Sequence, residues 1–162
     1  MTAGLGRARL VALLPGLPAT LLAAGVAQAA CLTLASHPDG APLARFAVAA
    51  DDPTFTVTYL HSVTKTPVDE HYRVDGDAIV ETEIRFDQHG PGLPTEADAG
   101  AQWTRRDGRY VVSMRRRFER IVMRVHADQK PALAIGAQGA DLAQWGNRAV
   151  ALAATSGPCR AP

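Results

Sequence analysis

The stretch Phe55–Val74 alternates between apolar and polar residues with a period of two, and the pattern is interrupted once, at 64–67. Its two halves, FTVTYLHSV and VDEHYRV, are rich in β-branched and aromatic residues, which favour strands. The interrupting sequence, Thr-Lys-Thr-Pro, suits a hairpin loop, because proline cannot donate a hydrogen bond to a strand ladder. This stretch predicts an antiparallel β-hairpin around which the rest of the fold must be built.

The apolar residues of this hairpin indicate how its two strands pair. When Val63 is placed opposite Val68, His61 falls opposite Glu70 and one face becomes apolar apart from this His–Glu pair. A slip of one residue would move the apolar side chains to the other face, so we favour this register.

The segment 78–86 predicts a third strand, which follows the turn sequence Asp-Gly-Asp at 75–77. A three-residue turn would keep the apolar residues on one face and place the charged residues on the other. A two-residue turn would instead place Glu81 beside the His61–Glu70 pair. We favour the longer turn, because it leaves no unpaired carboxylate inside the sheet. The charged residues of this strand are Glu81, Glu83 and Arg85.

The rest of the chain repeats short apolar runs between turn sequences. Asp107-Gly108 lies between two such runs, 103–106 and 110–114, and predicts a second hairpin. The segment 115–125 fits both helical spacing and strand alternation, and we interpret it as strand because its neighbours are strands. These elements predict an all-β fold, either an antiparallel β-sandwich or a partly open barrel of short strands. Further short strands are expected at 32–35, 45–49, 131–135 and 149–154, and one helical turn at 140–145.

Two motifs carry a resemblance to a known family. The first is HSVTKTPVDE at 61–70, followed by Tyr72, and the second is Glu83-x-Arg85-Phe86 followed by Gly90-x-Gly92-Leu93-Pro94. With these motifs the chain resembles the bacterial domain of unknown function family 1850, a group of small exported domains. Genes of this family often lie beside TRAP-type transporters of the TAXI kind. The resemblance therefore implies an exported setting and a transporter neighbour, and it implies no particular reaction.

The chain departs from the pattern of that family at three positions. The family usually has an acidic residue where this chain has Thr64, an aromatic residue where it has His89, and a small residue where it has Pro91. Two of these three departures fall in the loop that contains the second motif.

Residues 1–29 have the pattern of a secretory signal peptide. Arg7 and Arg9 precede an uncharged apolar stretch at 10–26, and Ala27-Gln28-Ala29 is a small-x-small cleavage site. We therefore expect cleavage near Ala29-Ala30 and a periplasmic or secreted mature domain that comprises residues 30–162 and has no membrane span.

Two alternatives to a cleaved signal peptide remain. A transmembrane helix would have to tolerate Pro15, Gly16 and Pro18, and no basic stop-transfer cluster follows the apolar stretch. A lipoprotein anchored through Cys31 would need an aliphatic residue in its lipobox where Gln28 stands.

The mature chain is expected to be nearly neutral. When Arg7 and Arg9 are set aside, 15 basic residues remain against 16 acidic ones. This balance gives no reason to expect a nucleic-acid partner or an anionic membrane surface. The arginines at 115–124 are interpreted as a solvated face or a docking strip for an acidic partner.

Cys31 and Cys159 lie at opposite ends of the expected mature chain. In an oxidising compartment, two cysteines most simply pair with each other. Closing so long a loop would stabilise the fold by up to about 5 kcal/mol in the chain-entropy model.

The His61–Glu70 pair is the first candidate for function. A carboxylate that faces an imidazole suits ligand binding, metal ligation or general-base catalysis, and it also suits a structural cross-strand pair. Ser62 follows His61 on the strand and points to the other face, so a Ser–His dyad has poor geometry. The histidines have no metal-ligand spacing and the chain has no C-x-x-C, so we expect no metal and no other cofactor.

Two loops bring further polar groups towards this pair. Lys65 and Thr66 lie in the hairpin loop, where a lysine and backbone N–H groups would receive an anion such as a carboxylate. Gly90 and Gly92 lie in the loop after Phe86 and allow a close backbone approach. The complete set of expected ligand-binding residues is His61, Ser62, Lys65, Thr66, Glu70, Glu83, Arg85, Gly90 and Gly92, and Glu83 and Arg85 enter it through the family motif.

The function expected from these features is that of a non-enzymatic exported binding or accessory module. Its partner would be a small carboxylate or a subunit of a TRAP-type transporter. The alternative is a periplasmic hydrolase that uses His61 with Glu70 or Glu83.

Overall fold

A computed structural model describes residue 1 and residues 28–95 and 100–160 of the chain. The predicted signal peptide lies almost entirely outside these residues, and the predicted cleavage site falls within the first described strand. Within the described residues, no helix is both long enough and apolar enough to cross a membrane.

The described residues form eleven strands and two short 3-10 helices. The 3-10 helices are Ala127–Gln129 and Leu142–Trp145. The strands are β1 Gln28–Ser36, β2 Pro42–Ala49, β3 Thr54–Leu60, β4 Pro67–Asp75, β5 Ala78–Phe86, β6 Gln102–Arg106, β7 Arg109–Phe118, β8 Arg120–Arg124, β9 Ala132–Ile135, β10 Gln138–Asp141 and β11 Ala149–Ser156.

Two antiparallel sheets face each other and do not close into a barrel, so the predicted β-sandwich is confirmed. The smaller sheet has the order β2-β1-β11-β8, and the larger one has the order β10-β9-β3-β4-β5-β7-β6. A single residue, Glu119, separates β7 of the larger sheet from β8 of the smaller one. The segment 115–125 is therefore mainly strand, as predicted, and it changes sheet at its middle.

The predicted register of the first hairpin is wrong. Tyr59 lies opposite Val68, and Glu70 lies opposite Val57, so the observed register differs from the predicted one by four positions on β3. The cause is the connection, where His61 leaves the strand and its backbone closes a turn with Lys65 and Thr66 through hydrogen bonds of 2.9 Å. Because the shift is even, each side chain of β3 and β4 stays on its predicted face.

The turn between β4 and β5 also differs from the favoured prediction. Asp75 pairs with Ala78, so the turn has two central residues, Gly76 and Asp77, instead of three. The Asp77 carboxylate accepts hydrogen bonds from the backbone N–H and the hydroxyl of Ser156, which fastens this turn to β11. The Gly76 backbone has a φ of 65°, which glycine adopts at little cost.

Two irregularities in pairing turn Glu81 into the sandwich. The β4–β5 register shifts between His71 and Tyr72, and the β5–β7 register shifts between Glu81 and Glu83. A bulge of this kind interrupts the alternation of side chains along a strand. Glu81 is only 5% exposed. The prediction that it shares the outer face with Glu83 and Arg85 is therefore wrong.

The smaller sheet covers only part of the larger one, so the core has two clusters. The first cluster fills the space between the sheets and includes Leu32 and Leu152 of the smaller sheet and Phe55 of the larger one. The second cluster, around Phe86, packs under Leu93 of the loop after β5. Tyr59 contacts both clusters. The smaller sheet therefore covers one part of the inner face of β3, β4 and β5, and the loop after β5 covers another. A gap remains between them.

Several other predictions are confirmed. Cys31 and Cys159 form a disulfide that joins β1 to the segment after β11. The second hairpin connects β6 and β7 through Asp107 and Gly108, both of which have positive φ. The predicted helical turn near 140–145 is the 3-10 helix Leu142–Trp145.

Candidate functional site

A cavity of about 310 Å³ lies between the inner face of the larger sheet, strand β8 and the loop after β5. Its base is formed by buried residues of β3, β4 and β5, of which Val57, Tyr72 and Ile84 are less than 5% exposed. Its mouth is formed by exposed residues, which include Gly92, Arg116, Val122 and Arg124. The cavity thus occupies the gap between the smaller sheet and the loop after β5.

Glu70 lines this cavity and is held by two tyrosines. The Tyr59 hydroxyl donates to Oε1 at 2.9 Å, and the Tyr72 hydroxyl donates to Oε2 at 2.6 Å. Tyr59 comes from the neighbouring strand β3 and Tyr72 lies two positions along β4, so the sheet itself aligns all three side chains. Each carboxylate oxygen therefore has one donor and keeps capacity for another.

The environment keeps both tyrosines protonated. Burial raises the pKa of Tyr59 and of Tyr72 well above the ordinary value, and the negative charge of Glu70 raises each pKa further. The hydrogen bonds to Glu70 act in the same direction, because they use the neutral hydroxyl as a donor. Both hydroxyls therefore remain donors across the physiological pH range.

A second carboxylate lies at the base of the cavity. Glu81 is buried, and its Oε2 atom lies 3.7 Å from Nη1 of Arg116, whose side chain is 42% exposed. The pair thus extends from the base of the cavity to its mouth. Glu81 also adds to the negative potential that raises the pKa of both tyrosines.

His61 does not face Glu70. Its ring is buried, and Nε2 donates to the carbonyl oxygen of Pro91 at 3.0 Å. Nδ1 accepts from the backbone N–H groups of Val63 and Thr64 at 3.2 Å each, and these partners define the tautomer. His61 therefore connects the β3–β4 loop to the loop after β5.

Gly90 is required by this arrangement of His61. A β-carbon at residue 90 would lie 2.5 Å from Cε1 and 2.8 Å from Nε2 of the ring. The predicted close backbone approach is therefore present, and it accommodates a side chain of the protein itself.

The other expected residues of the β3–β4 loop lie on the surface. Lys65 has a φ of 57°, and its Nζ atom lies 3.9 Å from Oδ2 of Asp128, with both side chains more than 60% exposed. Ser62 is exposed, and the Thr66 hydroxyl lies 2.8 Å from that of Thr64. These groups shape the loop and do not line the cavity.

Glu83 and Arg85 lie on the outer face of the larger sheet. They are opposite His71 and Asp69 in the register, and Nε of Arg85 donates to Oε1 of Glu83. The sheet therefore separates this ion pair from the cavity.

Of the nine expected site residues, Glu70 and Gly92 line the cavity, and His61 and Gly90 support its loop. The remaining five lie elsewhere: Ser62, Lys65, Thr66, Glu83 and Arg85. Four important residues of the cavity were not in that set: Tyr59, Tyr72, Glu81 and Arg116. Period-two spacing places both tyrosines on the face of Glu70. Glu81 and Arg116 pair beside the β5–β7 register shift, which the alternation of the sequence does not reveal.

The fold and the cavity define a small β-sandwich with one disulfide and a partly polar internal cavity. A family model described as domain of unknown function (DUF1850) matches residues 55–142, more than half of the chain. The chain belongs to this family, and every cavity residue named above lies within the matched region. No curated protein and no solved structure matches the chain.

Proposed function

We propose that this protein is an exported, non-enzymatic binding module that takes a small ligand into the cavity of the sandwich. The observation that carries the proposal is Glu70, which two tyrosines hold in a fixed position on the wall of an open cavity. Glu70 is half-buried, and withdrawing a carboxylate from water costs free energy. Such a group suits a site where a ligand completes its hydrogen bonds.

The cations at the mouth of the cavity support a ligand that contains a carboxylate. Arg116 and Arg124 both line the cavity and are exposed. A guanidinium group binds a carboxylate through paired hydrogen bonds. Small carboxylates are therefore the first ligands to test.

Binding is tested by thermal-shift screening of the mature domain against a panel of small carboxylates and amines. Val122→Trp would place a large side chain at the mouth of the cavity and should abolish any shift. Ala134→Trp is the matched control, because Ala134 is exposed on β9 and does not line the cavity. The proposal fails if no compound in the panel gives a shift, or if both tryptophan variants respond as the parent does.

Export is supported by the pattern of residues 1–29 and by the disulfide, which persists in oxidising compartments. The disulfide also argues against a lipid anchor on Cys31, because the same sulfur cannot hold both. The intact mass of periplasmic protein should correspond to a chain that begins at Ala30. Recovery of the full-length chain from the inner membrane would contradict export.

An accessory role beside a TRAP-type transporter of the TAXI kind is the part of the proposal that rests on the family resemblance. Its test is co-purification of the mature domain with the TAXI-type transporter encoded nearest to its gene. Val122→Trp should weaken co-purification if the transporter contacts the mouth of the cavity. Arg85→Ala should weaken it if the transporter contacts the outer face of the larger sheet. The absence of co-purification for the parent protein would remove this role and leave ligand binding intact.

The alternative, a hydrolase, has less support from the geometry. It needs an imidazole nitrogen available to substrate, yet both ring nitrogens of His61 are engaged by backbone groups. Glu70 is opposite Val57 in the register, and Glu83 is on the outer face. Binding is therefore the function that this site supports best.

A further inference from the structure

We infer that the cavity selects an amphoteric ligand, with an ammonium group at Glu70, an aliphatic body, and a carboxylate at the mouth beside Arg116 and Arg124. This inference rests on the proposed binding function and adds the chemical class of the ligand.

The charge of Glu70 points to an ammonium group in the ligand. Among the described residues, its carboxylate has two tyrosine hydroxyls as partners and no lysine, arginine or histidine side chain. Hydroxyl donors orient a carboxylate but leave its negative charge uncompensated. An ammonium group from a ligand would supply both the missing charge and further donors to the two oxygens.

The charged residues of the cavity differ between its base and its mouth. Its base contains two carboxylates, Glu70 and the buried Glu81, and both affect the same pair of tyrosines. Two exposed arginines also line the cavity, Arg116, which pairs with Glu81, and Arg124. A carboxylate that entered the base would meet the negative charge of Glu70, which no cation of the described residues offsets. A ligand that carries a carboxylate must therefore keep it at the mouth and present a different group to the base.

The walls between these two ends are apolar. Ile84, Phe118, Ile121 and Met123 all line the cavity and offer apolar surface. The volume of about 310 Å³ is at the small end of the range of ligand pockets. A short aliphatic chain that separates an ammonium from a carboxylate fits these walls better than a compact polar molecule.

The test compares three linear molecules with the same carbon chain. These are 6-aminohexanoate, with both charged ends, hexanoate, with the carboxylate alone, and hexylamine, with the ammonium alone. Calorimetric titration of the parent mature domain should show that 6-aminohexanoate binds at least ten-fold more tightly than either of the others.

Two substitutions assign the two ends of the ligand. Glu70→Gln should abolish the advantage of 6-aminohexanoate over hexanoate, and Arg116→Gln should abolish its advantage over hexylamine. Glu83→Gln and Arg85→Gln are the matched controls, because this ion pair lies on the outer face of the same sheet. Both controls should bind all three molecules as the parent does.

Tyr59→Phe keeps the inference testable if Glu70→Gln does not fold. This variant retains the charge of Glu70 and one of its two donors. It should therefore still prefer 6-aminohexanoate to hexanoate, and loss of that preference would contradict a role for the charge.

Three outcomes overturn the inference. The first is equal binding of hexanoate and 6-aminohexanoate, and the second is an unchanged preference in Glu70→Gln. Either outcome would leave the cavity as a binding site and would contradict only the ammonium group of the inferred ligand. The third is no binding of any of the three molecules, whereas the binding function itself fails only if the wider panel also gives no shift.

Discussion

The ring of His61 lies against the backbone of Gly90, closer than any side chain at residue 90 would allow. The two residues belong to different loops, and the contact is accompanied by the hydrogen bond from Nε2 of His61 to the carbonyl oxygen of Pro91. The contact fixes the loop that contributes Gly92 and Pro94 to the cavity.

Gly90→Ala should destabilise the fold by about 1 to 3 kcal/mol, because the added methyl group overpacks a buried ring. Chemical denaturation of the two purified proteins measures the difference in the free energy of unfolding. A double-mutant cycle with His61→Ala provides the control, because the clash disappears once the ring is removed. Strictly additive losses in the double variant would contradict direct contact.

Tyr72→Phe should lower the free energy of unfolding by about 1 to 3 kcal/mol, because it removes the donor to Oε2 of Glu70 in a buried setting. Tyr110→Phe is the matched control, since the described contacts of Tyr110 are made by its ring. That control should stay within about 0.5 kcal/mol of the parent. A loss in Tyr110→Phe as large as that in Tyr72→Phe would refute the proposed importance of the Glu70 bond.

The pH dependence of stability should contain a contribution from His71. Burial lowers its pKa below the ordinary 6.5, the charge of Arg85 acts in the same direction, and Glu83 and Asp69 oppose it. Its Nδ1 atom pairs with the Thr56 hydroxyl, while its buried Nε2 atom has no hydrogen-bond partner within residues 28–95 and 100–160.

The sign of this contribution follows from proton linkage. As the pH is lowered below about 6.5, the unfolded chain binds a proton at His71 before the folded chain does. The free energy of unfolding therefore decreases as the pH is lowered, until the pH reaches the folded-state pKa of His71. His71→Gln should therefore lose less stability than the parent between pH 7.5 and 5. His126→Gln is the control, and an equal flattening in both variants would assign the effect elsewhere.

Arg109→Lys should destabilise the protein by about 1 to 2 kcal/mol, because a lysine cannot reproduce the geometry of the guanidinium group. Arg109 donates from Nε to Asp87, from Nη1 to Asp69 and from Nη2 to the carbonyl oxygen of Pro67. It thus joins β7 to the ends of β4 and β5. Arg106→Lys, at the exposed partner position on β6, should leave the melting temperature unchanged.

Cys159→Ala should lower the melting temperature without abolishing folding, with a loss of about 2 to 5 kcal/mol. The disulfide closes a loop with a sequence separation of 128 residues, whereas every strand pair retains its own ladder without it. Thermal unfolding monitored by circular dichroism measures the loss. We expect reduction of the disulfide in the parent protein to lower the melting temperature by the same amount. A parent protein whose melting temperature does not change on reduction would contradict the prediction.

The sequence was sufficient for the fold class and for the face of each residue that lies in β3 or β4. Alternation determines which side chains turn inward, and an even shift in register preserves that assignment. The pairing itself could not be read from the apolar pattern, because the backbone of His61 closes a turn that the alternation does not reveal. The disulfide was predictable since the chain has only two cysteines.

The candidate site was predictable only in part, for two physical reasons. The position of Glu81 depends on two bulges, and a bulge arises from the pairing of three strands at once. The role of His61 depends on the carbonyl oxygen of Pro91, 30 residues further along the chain, which local sequence does not bring to the ring. Glu70, by contrast, was assigned to a mixed polar and apolar face by alternation alone.

The single residue Glu119 between β7 and β8 has a consequence for how relatives of this chain could diversify. Arg116 and Phe118 precede it and Ile121 and Met123 follow it, so one continuous segment supplies two walls of the cavity. An insertion at this corner would move those walls apart while every ladder in both sheets kept its register. The length of the connection between β7 and β8 would then determine the size of ligand that the cavity accepts, and it could change while both sheets stayed the same.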